Sequence, residues 1–209
     1  MDYLQQLTER YPQLLPIKNS IKTAFDIIVE SYSTGGKLLL AGNGGSAADV
    51  EHIAGELMKN FVKKRKLPDS FLPKLNDIDS EAAGYLIPRL QPGLPAISLS
   101  GHPSLNTAII NDTDAYMTFA QQVYVYGKAG DVFLGISTSG NAKNVYYAMI
   151  TAKAKNLKTI ALSGASGGVL LKYADISIVV PENETYKIQE LHLPVYHTLC
   201  LMIEEHFFS

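Results

Sequence analysis

Apolar residues fall along this chain in two rhythms. Five short runs are continuous: Lys37–Ala41 (KLLLA), Leu94–Ser100 (LPAISLS), Asp131–Ser137 (DVFLGIS), Thr159–Ser163 (TIALS) and Asp175–Val180 (DISIVV). A strand with one wet face alternates, whereas a strand apolar at every position is covered on both faces, as in a parallel sheet between helices. Between the runs the spacing is helical. Ala47–Phe61 puts Val50, Ile53, Ala54, Leu57 and Met58 on one face, Ala142–Asn156 repeats Val145, Ala148, Met149 and Ala152, and Tyr186–Phe207 carries Leu191, Val195, Leu199 and Met202. This alternation predicts an α/β fold with a doubly wound, five-stranded parallel sheet.

Two segments stand outside the alternation. Residues 1–33 carry an apolar stripe through Leu4, Leu7, Leu14, Ile17, Ile21, Phe25 and Ile28, which predicts an N-terminal helical segment broken or kinked at Pro12 and Pro16. Such a helix covers the sheet or packs on a second subunit. Near 63–93, with Pro68–Gly93 rich in Pro, Asp and Ser, the pattern predicts a loop insertion or lid with at most a short helix around Ser80–Tyr85. The whole of 1–209 reads as one domain.

Composition narrows the classes. Hydrophobic residues make up 46% and charged residues 18%, with a net charge of −2, so no basic footprint for nucleic acid or a membrane surface is present. The run Lys63-Lys64-Arg65-Lys66 reads as a solvated turn. A single cysteine, Cys200, sits among apolar neighbours, which excludes an internal disulfide and fits a reducing compartment. The first residues lack the basic and apolar regions of a signal peptide, and no apolar run is long enough to span a bilayer, so the expected location is cytoplasmic.

Chemistry gathers at two strand ends. The first strand runs into Gly42-Asn43-Gly44-Gly45-Ser46, where backbone N–H groups can approach a ligand and Ser46 can cap the next helix. The third runs into Ser137-Thr138-Ser139-Gly140-Asn141, three hydroxyls at a helix N-terminus, which is more than capping needs and makes an anion cradle. Neither loop has the spacing of a Walker or dinucleotide-binding fingerprint. His52 and Glu56, four apart, share one helical face, either as an ordinary surface pair or as a carboxylate and imidazole for proton transfer or divalent-metal binding; a partly buried carboxylate titrates high enough for a general base. Gln189 and His197 lie about 12 Å apart along an ideal helix, so sharing one ligand needs a bend, for which Pro194 is placed. His192 points elsewhere.

Taken in order, these pieces resemble the sugar isomerase (SIS) domain family, and more narrowly the sedoheptulose-7-phosphate, or phosphoheptose, isomerases. The resemblance runs through GNGGSA at Gly42–Ala47, His52 and Glu56 in EHIAGEL, SLNTAIIND at Ser104–Asp112, FAQQV at Phe119–Val123, GDVFLGISTSGN at Gly130–Asn141 and IQELH at Ile188–His192 with His197 following. It implies a flavodoxin-like SIS domain, a homotetramer with active sites at subunit interfaces, and a phosphosugar substrate isomerised through an enediol. It implies that Ser137, Thr138 and Ser139 hold the phosphate, that Asn43, Gly44 and Ser46 line the cleft with Gln189, and that Asn111 and Asp112 contact the sugar. Glu56 and His197 are implied as the proton-transfer pair, and His52, Glu56, Gln189 and His197 as ligands of zinc or another divalent metal. The chain departs from the family pattern at Ala142, where a serine is usual, at Tyr186, where some relatives carry aspartate, and in the length of Pro68–Gly93, which leaves other phosphosugars open. The resemblance also extends to non-catalytic replication-initiation regulators that bind a protein partner, from which Glu56 separates this chain.

Overall fold

The computed structural model describes residues 2–209, so Met1, the first position of the 1–33 helical segment, lies outside the described residues. All five apolar runs form strands: β1 (Leu38–Ala41), β2 (Ala96–Ser98), β3 (Val132–Ser137), β4 (Lys158–Ser163) and β5 (Ile176–Val179). Every pairing is parallel and the order across the sheet is β2-β1-β3-β4-β5. Alternate residues feed opposite layers. Leu38, Leu40, Val132, Leu134, Ile160 and Leu162 enter one core, while Leu39, Ala41, Phe133 and Ala161 enter the other. Two buried faces are why the runs carry no alternation.

The first layer is built by α1 (Tyr3–Arg10), α2 (Lys18–Ser33), α3 (Gly45–Met58) and α9 (Thr185–Phe208). Pro12 and Pro16 fall in a 3₁₀ segment, Pro12–Ile17, between α1 and α2, so the predicted break is real. The 63–93 region carries the short helix expected near Ser80–Tyr85, as α5 (Ser80–Leu86), and a second one not expected, α4 (Leu72–Ile78); the two pack on each other with Ile78 and Tyr85 exposed. The opposite layer comprises α6 (Pro103–Asp112), α7 (Thr118–Tyr126) and α8 (Lys143–Ala154). Met58, expected in the core stripe of α3, is exposed at that helix's last residue.

The basic run is not wholly exposed to solvent. Arg65 is no solvated turn residue: its side chain and that of Glu204 are each 1% exposed and pair at 2.9 Å. Glu204 also accepts from the N–H groups of Phe61, Val62 and Lys63. A buried pair persists only when its remaining hydrogen-bonding capacity is filled, and here it ties the segment after α3 to the C-terminal turns of α9.

His192 is fully buried on α9, with no hydrogen-bond partner for either ring nitrogen. Burial pushes its pKa from 6.5 down to about 4, against the smaller, opposing influence of the Ser163 backbone. Between those values the unfolded chain binds a proton that the native ring refuses. Stability contributed by this group is therefore complete above pH 6.5 and lost as pH falls toward 4, by up to about 3 kcal/mol. Urea titrations across that window should find His192→Leu losing less stability on acidification than the parent chain; equal losses would remove His192 from the acid sensitivity.

Candidate active site

In this strand order the chain leaves β1 for β2 on one side and returns past it to β3 on the other, so the loops after β1 and β3 diverge and leave a crevice at the strands' carboxyl ends. The crevice encloses about 380 Å³. Asn43, Gly44 and Ser46 line one wall and Ser137, Thr138 and Ser139 the other, with Thr185 and Gln189 of α9 closing it. The hydroxyls are set for an anion. Ser137 Oγ accepts from the Ala142 N–H at 3.4 Å and Ser139 Oγ from the Asn141 N–H at 3.2 Å, so each keeps its proton to donate. The Thr138 hydroxyl is unengaged. Ser46 departs from expectation: α3 starts at Gly45 after a Gly44 N-cap, and Ser46 sits inside the first turn, buried, capping nothing.

Two glycines are required by close approach. Gly140 has φ +67°, and a Cβ there would stand 1.9 Å from the Gly167 carbonyl oxygen. A Cβ on Gly45 would meet Gln189 Nε2 at 2.4 Å, so this glycine lets Gln189 reach the cleft. Asn43 and Asn144 exchange reciprocal amide bonds at 2.9 and 2.8 Å across the lip. Asn144 and Thr185 are site residues that sequence reasoning missed; Asn144's only signal was an amide one turn beyond the hydroxyl loop.

Farther along α3 and α9 lies a second cluster. His52 Nε2 stands 3.2 Å from Glu56 Oε1, with the Glu56 side chain 13% exposed. The His52 and His197 rings meet edge to face, with centroids 4.9 Å apart. His197 Nε2 is buried without a partner. Burial lowers the His197 pKa and the neighbouring His52 lowers it further, against the opposing charge of Glu56. Tyr196 and Asp49, neither read from the sequence, complete the cluster. Tyr196 Oη donates to Asp49 Oδ1 at 3.2 Å and lies 3.1 Å from His52 Nδ1. Burial pushes the Asp49 carboxyl up, and Tyr196 and His52 partly offset it; burial also pushes the Tyr196 phenol up, followed by the charge of Asp49.

The structure thus brings His52, Glu56 and His197 together, while α9 continues through Pro194 as one helix and leaves Gln189 in the cleft. Six residues of α3 separate Ser46 from His52, about 9 Å of helix rise. The surface between carries exposed Ala48 and Leu193, an open trough. His197 itself lines a separate hollow of about 270 Å³ beside Tyr3, Arg10 and Phe61. A larger hollow, about 560 Å³ near Lys64, Lys66 and Ile87, contains none of the candidate residues. Asn111 and Asp112 do not reach the cleft; they bond to each other at 2.8 Å on the exposed end of α6. Their neighbours in the same motifs are structural: buried Gln122 donates to the Leu99 carbonyl and to Asn106 Oδ1.

Among the described residues no three His, Cys, Asp or Glu side chains are already drawn up as a metal-ligand set. The donor types nevertheless suit a divalent ion: the unpartnered His197 Nε2, the exposed edge of His52 and the Glu56 carboxylate are those that bind zinc.

A model of the SIS domain matches residues 2–78 and 74–164. The phosphoheptose isomerase 2 of Campylobacter jejuni is 41% identical over 189 residues, covering 90% of this chain and 81% of that protein. The phosphoheptose isomerase of Helicobacter pylori is 38% identical over 191 residues, covering 91% and 86%. Among solved structures, the phosphoheptose isomerase of Neisseria gonorrhoeae superposes with a TM-score of 0.74 at 31% identity, covering 97% of this chain and 91% of that one. The Francisella tularensis phosphoheptose isomerase gives 0.75 at 29% identity, covering 97% and 95%.

If the hydroxyl loop is an anion cradle, Thr138→Val should weaken binding of inorganic phosphate by about tenfold or more, the scale of one hydrogen bond to a charged group. Calorimetric titration of both proteins measures this, and equal affinities would take Thr138 out of the cradle.

Proposed function

Since the chain belongs to the SIS domain family, within its phosphoheptose isomerases, we propose that it interconverts sedoheptulose 7-phosphate and D-glycero-heptose 7-phosphate, an aldose–ketose isomerisation. The observation that carries this reading is the separation between two poles. An anion cradle lies at one end of α3 and α9, and a carboxylate facing two imidazoles lies about 9–12 Å along them. A long sugar phosphorylated at one terminus and reacting at the other needs such a spacing.

In this reading Ser137, Thr138 and Ser139 grip the phosphate, with Asn43, Gly44, Ser46 and Gln189 around it. Glu56 removes the proton from the carbon beside the carbonyl and returns it to the neighbouring carbon through an enediol. His197, its pKa lowered by burial, is neutral near pH 7 and moves protons between the two substrate oxygens. Asn111 and Asp112 contact the sugar only if a second copy brings them to the trough. A divalent ion, zinc first by donor type, would be held by His52, Glu56 and His197, with Gln189 the outermost candidate, and would supply charge stabilisation of the developing oxyanion. A carboxylate set against an imidazole favours catalysis over the non-catalytic regulator.

The open trough and the exposed Ile110, Met117, Tyr124 and Val125 on the α6–α7 side support a homo-oligomer, a tetramer by family resemblance, in which a neighbour covers the sugar. A buried lone cysteine and the absence, among the described residues, of a helix long and apolar enough to cross a membrane support a cytoplasmic location. Metal content and assembly mass, measured on the purified full chain, should give a divalent ion in each chain and a tetramer; a metal-free active monomer would overturn both.

Glu56→Gln should lower kcat for sedoheptulose 7-phosphate by about 10²–10⁴-fold while leaving folding and substrate binding in place. Near-normal turnover in that variant would exclude Glu56 as the base.

A further inference from the structure

We propose that Asp49 and Tyr196 are positioning residues that hold His52 as its Nδ1–H tautomer and so turn a bare Nε2 toward Glu56. A phenol has one proton and accepts at its oxygen. Tyr196 Oη lies between two groups, Asp49 Oδ1 at 3.2 Å and His52 Nδ1 at 3.1 Å. The phenol proton goes to Asp49 Oδ1, the acceptor in that bond. The bond to His52 must then run the other way, with Nδ1–H donating to the phenol oxygen. One proton per neutral imidazole leaves Nε2 with a lone pair, 3.2 Å from Glu56 Oε1. Two acceptors so close are placed to share a metal ion when one is bound. Asp49, His52 and Glu56 stand on one face of α3, and Tyr196 reaches across from α9, so the relay spans the helix pair.

Tyr196 also packs edge-on against both imidazoles, with centroids 5.6 Å from His52 and 5.0 Å from His197. Tyr196→Phe keeps that packing and deletes only the relay. The catalytic consequence rests on the isomerase reading; the tautomer does not.

The test uses full-length, chelator-treated protein with ¹⁵N-labelled histidine, at a pH where its imidazoles are neutral, with the His52 signals assigned by their loss in His52→Gln. The parent chain should give a protonated Nδ1 and a bare Nε2, and Tyr196→Phe should shift the ring to Nε2–H. In the metal-loaded enzyme the same variant should lose about 10–100-fold in kcat, the usual scale for a group that orients a site histidine, with KM little changed. A parent His52 protonated at Nε2, a tautomer identical in both proteins, or a switched tautomer with unchanged kcat would each overturn the proposal. Absence of phosphosugar turnover in the parent chain, with the tautomer switch intact, would sink the isomerase reading and leave the tautomer assignment supported.

Discussion

Helices α3 and α9 start at the same edge of the sheet and run side by side, and the whole candidate site depends on their contact. Each contributes a cleft residue at its first turns, Ser46 on one and Gln189 on the other, and an imidazole farther on, His52 and His197. Two carboxylates, a phenol and two imidazoles share one half-buried place, which is costly wherever a polar atom lacks a partner, as His197 Nε2 and Asp49 Oδ2 do. Slippage of one helix by a single turn would move its ring about 5.4 Å and dissolve the cluster.

The far end of this helix pair is fastened by charge. Glu204 takes three backbone N–H groups and the Arg65 guanidinium, both side chains being nearly inaccessible. Arg65 also donates to the Leu57 carbonyl, in the last turn of α3. That single guanidinium therefore joins the C-terminal turn of α3 to α9, and it does so where directional bonds fix register better than apolar contacts do. Gly45 at the other end lets Gln189 close against α3. Between these two fastenings the helices have little freedom to slide.

Much of this was legible in the chain. Continuous apolar runs bounded every strand to within two residues, because burial on both faces leaves only one kind of pattern. The hydroxyl loop and the His52–Glu56 pair were visible because each is local, a matter of loop composition or of one helical face. What sequence reasoning missed was not local. Arg65 looked like part of a solvated basic run, and only the fold brings Glu204 to it across more than a hundred residues. Asp49 and Tyr196 carried no motif, since their meaning lies in a contact between two helices. Asn111 and Asp112 entered through a motif, and the single chain leaves them outside the cleft.

The open trough between the two poles bears on how the site works as a whole. Proton transfer to and from carbon needs water kept from the enediol, and a groove with Ala48 and Leu193 exposed along it excludes none. In the proposed reading the residues that grip the phosphate and those that move protons all come from one chain, and the cover over the sugar would come from another. On that reading, selection for the correct sugar would come mostly from whatever closes the trough. The distance between the poles is fixed by helix rise, so the helix pair itself restricts how long a sugar can reach from one pole to the other, and the covering surface is free to vary.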